Sequence, residues 1–143
     1  MKEGDHVYLD SNIVITILGH TAPLNQSQKR FIEALETGRL SGISSQLTLA
    51  ECLVKSMRET DEDAIEAVLQ FLENQEHIEL LPVNRDILVK AAEIRAVTAT
   101  KLPDAIHLAS AVAANCQIFM SDDKGIRMPA NVSRTGFAEL EFK

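Results

Sequence analysis

His6-Val7-Tyr8-Leu9-Asp10-Ser11-Asn12 is a short β-prone run that stops on an acid, and apolar Ile13, Val14, Ile17 and Leu18 directly beyond it have helical spacing. The same unit recurs outward along the chain. Gly19 to Asn25 has loop composition. From Ser27 a helical pattern carries Phe31, Ile32 and Leu35 and stops at Gly38. Leu40 to Ser44 reads as a second strand, and Ser45 caps a helix with Leu47, Leu49, Ala50, Leu53, Val54 and Met57 on it. Thr60 opens another helix, with Ile65, Val68, Leu69 and Leu72. Ile78 to Val83 is a third strand, followed by an Asn84-capped helix with Ile87, Leu88, Ala91, Ala92 and Ile94.

Pro103 belongs in a first helical turn, with Asp104 just inside. Ile106, Leu108, Ala109, Val112 and Ala113 give that helix a broad apolar surface, so it is central. Gln117 to Met120 is a fourth strand ending at Ser121-Asp122-Asp123, and the tail from Val132 supplies a minor edge strand. Strands alternating with helices predict one α/β domain over residues 1–143. Its sheet is mainly parallel, of four to five strands, with helices on both faces and right-handed crossovers.

The chain's 143 residues fit one domain, and a 45% hydrophobic, 24% charged composition is that of a globular protein rather than a disordered or coiled-coil one. No apolar run approaches a membrane span, and the acidic, polar start at Met1-Lys2-Glu3-Gly4-Asp5-His6 lacks the basic-then-apolar order of a secretory signal. Cys52 and Cys116 lie far apart in apolar segments, as expected of two buried free thiols in a reducing cytoplasm. Net charge is −7, and there is no Trp and a single Tyr, which excludes a basic nucleic-acid binder and an aromatic base-stacking platform. Carboxylates gathered around cations would produce such a surplus; two Mg²⁺ ions would bring −7 to −3.

In parallel sheets functional groups collect beyond the carboxyl ends of the strands. Asp10 follows the first strand, Asp122 and Asp123 follow the fourth, and Asp104 opens the helix before it. Glu51, two turns into the helix after the second strand, is bracketed by Ala50, Leu53 and Val54, so it either faces a cleft or is buried at a cost. Each Asp alone also suits a helix cap or a turn: Asp10 before its helix, Asp104 at a helix dipole, Asp123 before Lys124-Gly125. Converging from distant positions, however, acids repel one another unless hard cations such as Mg²⁺ or Mn²⁺ neutralise them. The four His are scattered, with no zinc spacing, and an all-carboxylate centre suits phosphodiester hydrolysis.

Leu9-Asp10-Ser11-Asn12, Leu49-Ala50-Glu51, Leu102-Pro103-Asp104-Ala105-Ile106-His107-Leu108-Ala109 and Phe119-Met120-Ser121-Asp122-Asp123 resemble, in order and spacing, the motifs of the PIN-domain nucleases. The similarity is greatest to the VapC-type toxins of bacterial and archaeal toxin–antitoxin pairs, and it runs from residue 6 to about 135. Each motif is weak singly; the four together are specific. The resemblance implies a PIN-like fold with Asp10, Glu51 and Asp104 as core acidic ligands. It aligns Asp123 with the fourth acid and puts Asp122 where Asn is usual, leaving the choice between these neighbours open. Asn12 and Ser121 match supporting polar positions. The implied activity is endoribonuclease cleavage dependent on one or two Mg²⁺ or Mn²⁺ ions, with water attacking phosphorus to leave 5′-phosphate and 3′-hydroxyl ends. Implied with it are an RNA substrate, a cognate antitoxin, a homodimer and a cytoplasmic location.

His107, three residues beyond Asp104, is a candidate for touching substrate or supporting the site, with a plain packing role as the default. Lys55, Arg58, Arg95, Lys101, Lys124 and Arg127 flank the acids; Lys101 and Lys124, nearest in sequence, are the expected phosphate contacts. The apolar helices around Phe31 and Val68 are candidate partner surfaces, with core packing as the default reading. A phosphatase built on Asp-x-Asp fails at Asn12, and a response-regulator receiver fails at Leu81-Pro82-Val83-Asn84, which offers no acid after the third strand. The remaining alternative is a PIN-fold binding module whose nuclease activity is lost or suppressed; the intact acid set argues against loss.

Overall fold

Every strand pairing is parallel, as the alternation of strands and helices requires. The computed structural model describes residues 1–19 and 23–142. In chain order the elements are β1 (His6–Leu9), α1 (Ser11–Gly19), α2 (Gln26–Thr37), β2 (Ser41–Ser45), α3 (Gln46–Arg58), α4 (Glu62–Glu73), β3 (Ile78–Leu81), α5 (Arg85–Val97), α6 (Leu102–Ala113), β4 (Ile118–Met120) and β5 (Ser133–Thr135). The five-stranded sheet has the order β3-β2-β1-β4-β5, so β1 is central and the order reverses beside it. Registers such as Tyr8 opposite Ile43 and Phe119 set the ends of β1, β2 and β4 level.

Val7, Tyr8 and Leu9 are all fully buried, which only a strand covered on both faces allows. Val7 and Leu9 join one core with Ile13, Phe31, Leu53, Leu72 and Met120, under α1 to α4. Tyr8 points the other way, to Leu108, Ala111 and Phe119 beneath α6, and α5 packs on α6 through Ile87, Ala91, Ile106 and Ala109. α6 is accordingly central: Ala105 to Ala111 are all buried.

Local chemistry sets the boundaries. Asn25 and Gln28 form a reciprocal capping box at α2, and Ser45, Asp61 and Asn84 cap α3, α4 and α5 through side-chain oxygens. The helix expected from Thr60 begins past it, because Thr60 is left-handed at φ 49° and Asp61 takes the cap. β3 stops at Leu81, ahead of Pro82, short of the expected Val83. Of the loop expected over Gly19 to Asn25, Gly19 instead ends α1, and residues 20–22 lie outside those described. Phe31 is fully buried and Val68 nearly so, which is their default core packing rather than a partner surface; apolar groups in the open include Ile15, Val54 and Met57. Both cysteines are free and buried, and burial pushes the Cys52 thiol up to about 12 and that of Cys116 to about 11. No helix among the described residues is long and apolar enough to cross a membrane.

Gly38 closes α2 in the left-handed conformation at φ 80°, and a Cβ there would stand 2.6 Å from the His77 ring. Gly38→Ala is expected to cost about 1 to 2 kcal/mol in urea unfolding, from the left-handed strain plus displacement of that ring. A neutral result would mean that the turn re-forms without it.

Candidate functional site

Asp10 follows β1 at the point where the sheet order reverses, the usual position of a binding crevice in an open parallel sheet. Its carboxylate is only 3% exposed and takes three donors. Oδ1 accepts from the Ser11 amide at 2.9 Å, and Oδ2 accepts from the Ser121 hydroxyl at 2.7 Å and the Asn12 side-chain amide at 3.2 Å. Ser121 in turn accepts from Asn12 Nδ2 at 3.2 Å and from the Asp123 backbone amide at 3.1 Å, while Asn12 Oδ1 accepts from the Asp122 amide at 3.2 Å. The ends of β1 and β4 are thus tied through Asp10, Asn12 and Ser121, as the sequence grouping of these three anticipates. Ser44 braces the same end from β2, its hydroxyl donating to the Leu9 carbonyl at 2.7 Å.

Glu51 reaches this edge from α3. It is neither deeply buried nor free: its side chain is 32% exposed, and Oε1 lies 2.7 Å from His107 Nε2. His107 Nε2 is also 3.7 Å from Asp10 Oδ1, and its Nδ1 lies 2.7 Å from the Tyr8 hydroxyl. At 1% exposure His107 is closed to substrate, which corrects the substrate contact expected of it; its spacing from Asp104 turns the ring inward, under the acids. Tyr8 is the neighbour that sequence reasoning missed. Its signal was the period of two along β1, which puts it on the same face as Asp10.

Asp104 opens α6, a helix with no side-chain cap, and is half-buried. Its carboxyl is raised above 3.8 by burial first, then by repulsion from Asp10 and Asp123 and, more weakly, Glu51, with His107 opposing. All four acids therefore act in one electrostatic field. Asp123 and Asp104 both line a cleft of about 570 Å³ with Thr98, Thr100, Lys101 and Arg127. Lys101 and Arg127 line this cleft, whereas Lys124 is exposed and does not line it. Asp123 also closes the expected turn, Oδ1 accepting from the Gly125 amide at 2.9 Å.

Asp122 is drawn elsewhere. Its Oδ1 accepts from the Phe137 amide at 2.8 Å, anchoring the chain after β5, and so it stands apart from the other acids. Arg134, on β5, braces the same corner by donating to the Ser121 carbonyl at 2.8 Å and pairing with Glu139. As they stand, no three His, Cys, Asp or Glu side chains among the described residues are arranged to hold a metal ion. The donor chemistry fits one nevertheless. Asp10, Glu51, Asp104 and Asp123 offer hard oxygens of like charge at one edge, and a divalent cation is the species that would draw them closer.

The raised Asp104 pKa bears on the stability of the metal-free protein. Its contribution is fully present below the unfolded value near 3.8 and is lost as pH rises through the higher folded value. Asp104→Asn should therefore match or exceed the metal-free wild type in stability at neutral pH. The gain stays under about 1 kcal/mol, because solvent screens a half-exposed group. A marked drop in melting temperature would instead make Asp104 a structural residue.

A family model described as PIN domain matches residues 7–131. No curated protein matches the chain by sequence. Among solved structures, that of VapBC-1 from nontypeable Haemophilus influenzae superposes with a TM-score of 0.71 at 15% identity, covering 93% of this chain and 98% of that one. VapBC2 from Rickettsia felis, bound to a DNA fragment from their promoter, gives 0.70 at 14% identity over 92% and 98%. VapC20 from Mycobacterium tuberculosis, a sarcin-ricin loop cleaving toxin, gives 0.67 at 15% over 83% and 91%. At such identities the structural likeness is one of fold, whereas the family model spans most of the sequence. The chain belongs to the PIN-domain family.

Proposed function

We propose that this chain, a single PIN-like domain over residues 1–143, is a divalent-cation-dependent endoribonuclease and the toxin of a type II toxin–antitoxin pair. The observation that carries the reading is geometric: Asp10 and Glu51 meet at His107 Nε2, 3.7 and 2.7 Å away, and Asp104 and Asp123 line one cleft. These four are the residues that would hold Mg²⁺ or Mn²⁺, with Asp123 rather than Asp122 as the fourth because Asp122 is committed to Phe137. A cation bound there, or a pair of them, supplies activation of water and neutralisation of charge at the scissile phosphate.

The remaining roles fall to the chain's own groups. Asn12 and Ser121 hold the Asp10 carboxylate in a fixed orientation, which preserves its direction against repulsion from its neighbours. Lys101 and Arg127 offer positive charge along the cleft, where a phosphate backbone would run past Asp104 and Asp123. The overall surplus of acid makes such local cations the more necessary. Several of the similar solved structures are toxin–antitoxin complexes, which supports an antitoxin partner for this chain. A groove of about 280 Å³ between α1, α3 and α4, with half-exposed Ile15 at its rim and Cys52 and Val68 within, would receive an apolar segment of that partner. A cytoplasmic homodimer completes the reading.

The test is cleavage of total RNA by the purified protein with Mg²⁺ or Mn²⁺, with and without a chelator. Asp10→Asn and Asp104→Asn should each lower cleavage by about 100-fold or more while remaining folded, and the products should carry 5′-phosphate and 3′-hydroxyl ends. Cleavage that survives either substitution or the chelator would remove the assigned site. Cleavage absent from the wild type too would favour a protein-binding module on the same fold.

A further inference from the structure

His107 has no solvent exposure to speak of, yet both of its ring nitrogens are used. It lies on α6, whose buried face packs on the Tyr8 side of the sheet, while Glu51 belongs to α3 in the opposite helical layer. The Glu51–His107 hydrogen bond, at 2.7 Å, joins the two layers across the carboxyl edge of the sheet. A carboxylate only accepts, so Nε2 carries the hydrogen in this bond and Nδ1 is left for the Tyr8 hydroxyl at 2.7 Å. Tyr8 is itself immobile: it is fully buried and stacked on Phe119 with ring centroids 5.1 Å apart. Tyr8 therefore fixes the ring, and the ring fixes the carboxylate.

Glu51 needs such a hold. Its side chain is the longest of the four acids and one-third exposed, and the like-charged Asp10 stands against the same imidazole nitrogen, 3.7 Å from it. Released, it would turn into solvent, at a distance from Asp10 that three carbon–carbon torsions could easily enlarge. Bound through Oε1, it keeps Oε2 for a cation.

We propose that His107, braced by Tyr8, is a positioning residue that holds Glu51 at the carboxylate cluster and so sets the affinity of that cluster for divalent cations. The proposal rests on the reading of Asp10, Glu51, Asp104 and Asp123 as a cation site. Its action is through Glu51 and not on RNA, since the imidazole is closed to solvent.

Calorimetric titration of Mn²⁺ into the full chain tests it, with circular dichroism to establish that each variant is folded. His107→Ala should weaken Mn²⁺ binding by about 10- to 100-fold, the usual effect of removing a group that orients a ligand. His107→Gln keeps much of the volume and a side-chain N–H, so it should recover a large part of the loss, and Tyr8→Phe should weaken binding by a few-fold. In the presence of Mn²⁺, kcat for RNA should fall in His107→Ala while KM for RNA holds. A double-mutant cycle with Glu51→Ala supplies the sharpest readout: acting through Glu51, His107→Ala has little further effect once Glu51 is gone. Wild-type affinity in a folded His107→Ala, no recovery by Gln, or effects that simply multiply in the cycle would each overturn the proposal. A wild type that binds no Mn²⁺ would overturn it together with the cation-site reading, whereas saturable wild-type binding with indifferent His107 variants would overturn the positioning role alone.

Discussion

A carboxylate kept from solvent at the end of the central strand is the constraint around which this edge of the molecule is arranged. Asp10 is 3% exposed, and an acid so placed is tolerable only where donors surround it. The donors come from three sources: the Ser11 amide at the start of α1, Asn12 one residue further, and Ser121 at the end of β4. Because Ser121 must reach Asp10, β4 must lie beside β1 and end level with it. Because Asn12 must reach both, α1 must begin without a linker. The strand order, the abrupt β1-to-α1 turn and the position of the Ser121-Asp122-Asp123 segment are consequences of one buried charge as much as of the hydrophobic pattern.

Around that satisfied acid stand three more that are less so. The neighbours of Asp104 raise its pKa, and Glu51 is retained by a histidine from the other layer. Such an edge is held back from collapse by like charge and held together by hydrogen bonds. The proposed cation would need little reorganisation of the backbone, since the positions are set by strand ends and helix starts and only side chains would have to close in. The cleft lined by Asp104, Asp123, Lys101 and Arg127 would add, for the proposed RNA substrate, positive groups that a net charge of −7 otherwise denies it.

The fold was legible because period and punctuation agree. Val7 and Leu9 on one face and Tyr8 on the other make a strand buried twice over, and Asn25, Gly38, Ser45 and Asn84 each mark a helix end by a hydrogen bond or a left-handed turn that their chemistry favours. Boundaries slipped where a single dihedral decided them, as at Thr60, which has no compositional signal for φ 49°. Among the site residues, Asp10 and Asp123 could be grouped because both follow strand ends, whereas Asn12 and Ser121 came from the family resemblance. What the sequence withheld was direction. Asp122 and Asp123 are adjacent, and only the path of the chain back past Phe137 sends one carboxylate to the tail and the other to the cleft. His107 could be assigned to a helix, with packing as the default and substrate contact as the alternative, since three residues from Asp104 turns the side chain far enough to pass from rim to core. For Phe31 the default of core packing holds, although an apolar helix face alone does not say whether its partner is the protein's own sheet.

The central claim is that these acids form one cation site, and its most direct test is a crystal grown or soaked with Mn²⁺ and measured for anomalous scattering. A peak among Asp10, Glu51, Asp104 and Asp123, within about 2.0 to 2.3 Å of at least two of their carboxylate oxygens, is the expected result. An occupied Mn²⁺ position elsewhere with this edge unchanged, or no peak at saturating Mn²⁺, would contradict it.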